Sequence, residues 1–262
     1  NTTVDLTTTS DDAITVDVGT LDPDSDNLDE LLALANQSGI TRINGELTIS
    51  AADIYTITHS SWANLDTGNN YINFTLDNAV DAAQGAALAA KSSGTITWHS
   101  ISDVVANLGS VDGSGNASIS TNLTNTLNAD DTVDVVVSTG VTLTGSNDVK
   151  IVNAIKAATN SANNITAAFS LDKSEAALFS GISNKNLTIT VSDKMSVSEF
   201  NTLNGVSSNN ITLTTGLSDS LGNLIPSGTT STVVDAAIAQ DAGATLNVTV
   251  TPAVTENHTH LN

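Results

Sequence analysis

Two stretches decide how this chain is read: YINFTLDNAVDAAQGAALAAKSSGTITWHSISDVVANL at 71–108 and LTITVSDKMSVSEFNTLNGVSSNNITLTTGLSDSLGNL at 187–224. Laid over each other without a gap, at an offset of 116 residues, they place Asp193 on Asp77, Asp219 on Asp103 and Asn223-Leu224 on Asn107-Leu108. About six of the 38 pairs are identical, so the order of parts is what repeats: a Thr/Ile/Val strand, an Asp, then a helical stretch. Repetition on this scale marks stacked supersecondary units.

The same pattern extends outward. Alternating residues predict strands at 13–19, 40–50, 54–58, 71–76, 95–101, 132–138, 165–170, 187–192, 211–217 and 245–251. Helical periodicity predicts helices at 28–36, 80–91, 147–159, 173–182, 196–206 and 231–240, with a brief turn at 60–65 and a polar interruption at 109–121. Strands joined through helices run parallel, with right-handed crossovers. Asp77, Asp172, Asp193 and Asp219 stand at strand-to-helix junctions, where a carboxylate is expected to cap the helix.

These readings give an α/β fold of repeated strand–helix units, with extra strands at the termini. One architecture is a parallel, solenoid-like β/α sheet; the other is one or two compact α/β domains. The expected organisation is an extended arm at 1–12, repeat regions at 13–131 and 132–251, and a tail at 252–262.

Composition bounds the function. The chain has 262 residues, 28 acidic and 7 basic, with a formal charge of −21. That charge repels nucleic acid and anionic membranes. Aromatics are 3% of the residues, so the core is built from Ala, Val, Ile and Leu. Cysteine is absent, no apolar run is long enough to span a membrane, and the composition is that of exported surface proteins. The chain begins at Asn1, which reads as processing or a fragment. The expected location is extracellular, at the cell surface.

The phrases ISDVVANL (101–108), LSDSLGNL (217–224) and, more loosely, THSSWANL (58–65) resemble an SD-x-x-x-NL unit. That unit occurs in very long repeat proteins of bacterial surfaces, of adhesin, S-layer and matrix type, common in cyanobacteria and other aquatic bacteria. The resemblance implies an exported structural or adhesive protein, and it carries over no catalytic residue. Open strand edges at the two ends of the sheet are expected to pair with further copies of the chain.

Candidate sites are sparse. Asp22, Asp24 and Asp26 alternate in a loop, with Asp29 and Glu30 following, a spacing that can converge on calcium. The same segment also reads as a capped helix start, with Asn27 and Glu30 forming a capping box. Asp112, Ser114 and Asn116 make a second alternating oxygen set, in a DGSGN stretch that is also a plain turn sequence. His258 and His260 could meet a transition metal, while His59 and His99 adjoin repeat junctions. Signatures of a nucleophile elbow, P-loop, dinucleotide fold or zinc protease are lacking, so no enzyme is expected. A surface carbohydrate is the alternative partner, on a patch around Trp62, Trp98 and Tyr71.

Overall fold

The structure, a computed structural model, describes residues 14–21, 25–37, 40–59, 70–137, 140–160, 164–179, 186–207, 211–240 and 246–251. The arm at 1–12, the tail at 252–262 with His258 and His260, and Trp62 lie outside these. No helix among the described residues is long and apolar enough to cross a membrane.

In chain order the elements begin β1 (Ile14–Leu21), α1 (Ser25–Ala35), β2 (Ile40–Ile49), α2 (Ala51–His59), β3 (Asn70–Leu76) and α3 (Ala82–Ala89). Next come β4 (Ile96–Thr97), β5 (Ile101–Asp103), α4 (Val105–Leu108), β6 (Gly109–Val111), β7 (Ala117–Ile119) and α5 (Thr121–Ala129). The second half holds β8 (Val135–Val137), β9 (Thr142–Leu143), α6 (Ser146–Ala158), β10 (Ile165–Leu171), α7 (Lys173–Ala176) and β11 (Leu187–Val191). It closes with α8 (Val197–Asn204), β12 (Ile211–Leu213), β13 (Leu217–Asp219), α9 (Leu221–Leu224), α10 (Thr232–Gln240) and β14 (Val248–Val250).

The chain forms two compact units, one of Asn1–Ser102 with Thr121–Val133, the other of Asp103–Ser120 with Asp134–Asn262. This division differs from a single boundary at 131/132, because 103–120 groups with the later residues. In the first unit β1-β2-β3-β4 lie side by side, all parallel. In the second, β8, β10, β11 and β12 do the same, and β9 also pairs with β10. The fold is therefore α/β with parallel sheets, and within each sheet the strand order follows the chain order.

Each sheet has one dry face. Along β10 the inward residues Ile165, Ala167, Phe169 and Leu171 are buried, while Thr166 and Ser170 are exposed. β3 buries Ile72, Phe74 and Leu76 and turns Tyr71 and Thr75 outward. Parallel sheets are ordinarily covered on both faces and read as unbroken apolar runs. Here the Thr, Ser and Asn alternation keeps the second face wet.

The two quoted stretches do fold alike, but with one residue inserted. Phe74 pairs with Ile96, and Ile189 with Ile211. Ser92 Oγ donates to the Ile72 carbonyl at 2.7 Å, and Ser207 Oγ to the Leu187 carbonyl at 2.6 Å. Strand and helix thus correspond at an offset of 115 (72 to 187, 92 to 207). From Ile101 and Leu217 onward it becomes 116. There, Val80 bridges Ile101 as Met195 bridges Leu217.

The added residue lies in Thr214–Gly216, opposite His99–Ser100. At Gly216 φ is 82°, and a Cβ would sit 1.8 Å from the Asn247 carbonyl oxygen, so only glycine fits. With this correction ten residue pairs are identical rather than six. The partner of Asp193 becomes Asn78, not Asp77.

The SD-x-x-x-NL phrase has a structural meaning in this chain. Asp103 Oδ1 accepts from Val104 N at 2.7 Å and Asn107 Nδ2 at 2.8 Å. Asp219 Oδ1 accepts from Ser220 N at 2.8 Å and Asn223 Nδ2 at 2.8 Å. The carboxylate ends the strand, the Asn four residues later ties it to a single helical turn, and Leu108 and Leu224 are buried beneath.

Several expected elements are corrected. Residues 54–58 are helical, not extended: Ile54 and Ile57 are buried three apart while Tyr55 is exposed. Ser50 and Asp53 close that helix's first turn, with Asp53 Oδ2 accepting from Ser50 N at 2.8 Å. Helix α1 starts at Ser25, which puts Asn27 inside the first turn rather than ahead of it as a cap. The polar stretch 109–121 is an antiparallel hairpin followed by α5, and 211–217 splits into two strands.

Candidate functional site

Several acids of the repeats sit at helix starts. Asp81, Asp172 and Ser196 are N-caps, each forming a reciprocal capping box with Gln84, Glu175 and Glu199. Of the four expected caps, only Asp172 caps the helix that follows it. Asn78, Asp193 and Asp219 instead accept the first backbone N–H of the preceding unit's helix: Ala51 at 2.7 Å, Lys173 at 3.3 Å and Val197 at 3.0 Å. Burial acts to raise the Asp219 carboxyl, but bonds from Asn223, Ser220 and Val197 hold it below its ordinary value. Glu199 is lowered chiefly by the Ser196 N–H, and Asp172 by the Ser174 hydroxyl.

The proposed calcium ligands divide. Asp22 and Asp24 lie outside the described residues, and nothing is described of the Asp26 side chain; Asp29 and Glu30 are exposed on α1. Asp112, Ser114 and Asn116 form the β6–β7 turn. Asp112 Oδ1 accepts from Ser114 N and Asn116 N at 2.9 Å each, and Oδ2 from Asn116 Nδ2 at 3.3 Å. The Asn116 N–H leads in holding the Asp112 carboxyl below its ordinary value. Lys150 Nζ donates to the Gly115 carbonyl of the same turn at 3.1 Å. This turn is built around its own backbone, with an ammonium group already against it. Among the described residues no three His, Asp or Glu side chains cluster as a metal site.

The aromatic patch expected from Trp62, Trp98 and Tyr71 is not assembled from Trp98. That indole is 5% exposed, and its Nε1 donates to the Thr126 carbonyl at 3.2 Å. It locks α5 onto the first unit's core, where Gly85 also lies against Thr126. His99 is exposed, its Nδ1 3.3 Å from Ser100 Oγ. Tyr71 does reach the surface, at 36% exposure, on the wet face of the first sheet.

That face carries a denser polar set than sequence reading singled out. Register aligns Asp17, Asn44 and Tyr71 across three strands, then Thr20, Glu46 and Asn73, then Thr48, Thr75 and Thr97. Arg42, the chain's sole arginine, lies 3.7 Å over the Tyr71 ring and donates from Nε to Asn44 Oδ1 at 2.9 Å. Two adjoining depressions, of about 330 and 420 Å³, share Thr20, Glu46 and Asn73. The signal available in sequence was the alternation Arg42, Asn44, Glu46, Thr48, which reads as one face of one strand.

No protein-family model, curated protein or solved structure matches the chain.

Proposed function

We propose that the protein is a non-enzymatic structural subunit of a bacterial cell surface or extracellular matrix, of surface-layer, filament or adhesin type, which assembles with copies of itself. The observation that carries this reading is the agreement of strand order with chain order in both parallel sheets. Such sheets grow by adding a unit at an end, as stacked repeats do. Among the described residues no strand pairs with the outer side of β1, whose eight residues offer a long hydrogen-bonding edge. The solenoid-like reading of the fold belongs to the same proposal.

The acids support it too, because Asp81, Asp172, Asp193 and Asp219 hold backbone N–H groups and are committed to the scaffold. Calcium at Asp22, Asp24, Asp26, Asp29 and Glu30 would screen the −21 charge that opposes assembly. Strand addition through the N-terminal arm supplies the contact. Deleting residues 1–12 is expected to abolish polymerisation, and polymerisation at the wild-type rate would sink the arm's role.

A further inference from the structure

We propose that the wet face of the first sheet binds a neutral polysaccharide, with Asn44, Glu46, Tyr71 and Asn73 as contact residues. This goes beyond self-assembly and does not depend on it.

The face departs from the chain's own pattern. The corrected correspondence equates Thr75 with Thr190 and Thr97 with Thr212, so both sheets share those threonines. It also equates Asn73 with Thr188 and Tyr71 with Asn186. At the position of Asn73, β11 carries Thr188, which stands opposite Ala168.

These side chains leave polar groups uncommitted. Asn44 Oδ1 and Asn73 Oδ1 are occupied by Arg42 Nε and Thr95 N, at 2.9 and 2.8 Å. Among the described residues neither Nδ2 donates, and Glu46 accepts only the Thr20 hydroxyl, at 3.3 Å. Two amide donors and a carboxylate acceptor are thus presented together, beside an aromatic ring. A hydroxyl both donates and accepts, so a polyhydroxylated chain satisfies both kinds of group.

The face is also preorganised. Asn73 is pinned where Gly94 comes close enough that a Cβ would sit 2.9 Å from its Oδ1. Between Asp17 and Thr20 the register with β2 slips by one residue, with Gly19 at φ 66°. This bulge puts Asp17 and Thr20 on one face, which an uninterrupted strand would not do. Groups held in place before binding lose less entropy on binding.

Charge selects the class of polymer. Asp17, Glu46 and the overall −21 repel an anionic chain. Arg42 on Tyr71 places a positive charge at the ring, where a neutral sugar meets no like-charge penalty and a cationic one does, against the general pull of −21 on cations.

Affinity electrophoresis tests this, in gels containing a mixed-linkage β-glucan, a galactomannan or a dextran, with alginate and a cationic amino-polysaccharide as charged comparisons. Retardation is expected in at least one neutral gel. Glu46→Gln and Tyr71→Ala should each weaken it about tenfold or more, while Thr188→Ala on the second sheet leaves it unchanged. Asn73→Thr, which installs the second unit's own residue, should lose binding while circular dichroism shows the fold retained, even though the bond from Thr95 N is lost. All these variants should polymerise as the wild type does, which separates this site from the assembly reading. No retardation in any neutral gel, retardation confined to the charged gels, or binding that survives Glu46→Gln and Tyr71→Ala would overturn the proposal.

Discussion

The carboxylate of Asp219 accepts the backbone N–H of Val197, the first residue of the helix belonging to the unit before it, at 3.0 Å. Asp193 does the same for Lys173, and Asn78 for Ala51. The starts of α7 and α8 are thereby satisfied from two sides, by their own capping residues Asp172 and Ser196 and by the unit that follows. A helix N-terminus leaves four N–H groups without partners, so a second acceptor is useful there. The device ties successive units together at the strand ends.

Removing a cross-unit acceptor should cost stability wherever it occurs. Asp193→Ala, Asp219→Ala and Asn78→Ala are each expected to destabilise the fold by about 1 kcal/mol. Asp77→Ala, whose position corresponds to Ser192, should stay within about 0.5 kcal/mol of wild type. Urea unfolding followed by circular dichroism measures all four. A larger loss at Asp77 than at Asn78 would contradict the corrected alignment.

The lowered carboxyls of Asp219 and Glu199 give stability a pH dependence of known sign. A folded-state value below the unfolded one contributes stability at pH above the ordinary carboxylate range of about 4. That contribution is lost as pH falls through the folded-state value. Melting temperature should therefore drop as pH is lowered below about 4. Asp219→Asn, which retains an acceptor oxygen without the charge, should flatten that drop. An Asp219→Asn variant as acid-sensitive as wild type would remove Asp219 from the account.

Trp98 is expected to act through packing. It is buried and bonded to the Thr126 carbonyl, so Trp98→Ala should destabilise by about 3–5 kcal/mol. Denaturant unfolding monitored by fluorescence and circular dichroism reads this directly. A variant of wild-type stability would return Trp98 to the list of surface contacts.

Calcium sensitivity, if the acidic segment before and within α1 supplies it, has a definite map. EDTA should lower the melting temperature, and Asp22→Asn combined with Asp24→Asn should reproduce the chelated state. Asp112→Asn should leave the response to calcium unchanged, because that carboxylate is committed to Ser114 and Asn116. A melting temperature indifferent to EDTA would end the calcium proposal.

Much of this fold was legible in the sequence because period-2 alternation and one-sided burial are the same fact. ITAAFSL and LTITV announce their buried and wet faces residue by residue. The helix over 147–159 and the Asp172 cap were legible for similarly local reasons. What misled was locality elsewhere. The β-branched run in Asp53–Thr58 favours a strand, and the Ser50–Asp53 cap and the packing of Ile54 and Ile57 override it. Identical Asp residues drew the alignment to 116 throughout, because the inserted residue at Gly216 shows itself only through strand register and the Asn247 carbonyl. The polar face of the first sheet was hidden for another reason. Its members come from β1, β2 and β3, and only parallel pairing brings Asp17, Asn44 and Tyr71 into one row.

Negative-stain electron microscopy of the native protein, at rising concentration with and without calcium, shows whether the chain assembles. A self-assembling repeat subunit predicts fibres or ordered lattices, lost on deletion of residues 1–12. Monodisperse particles at every concentration, with the chain intact, would contradict it.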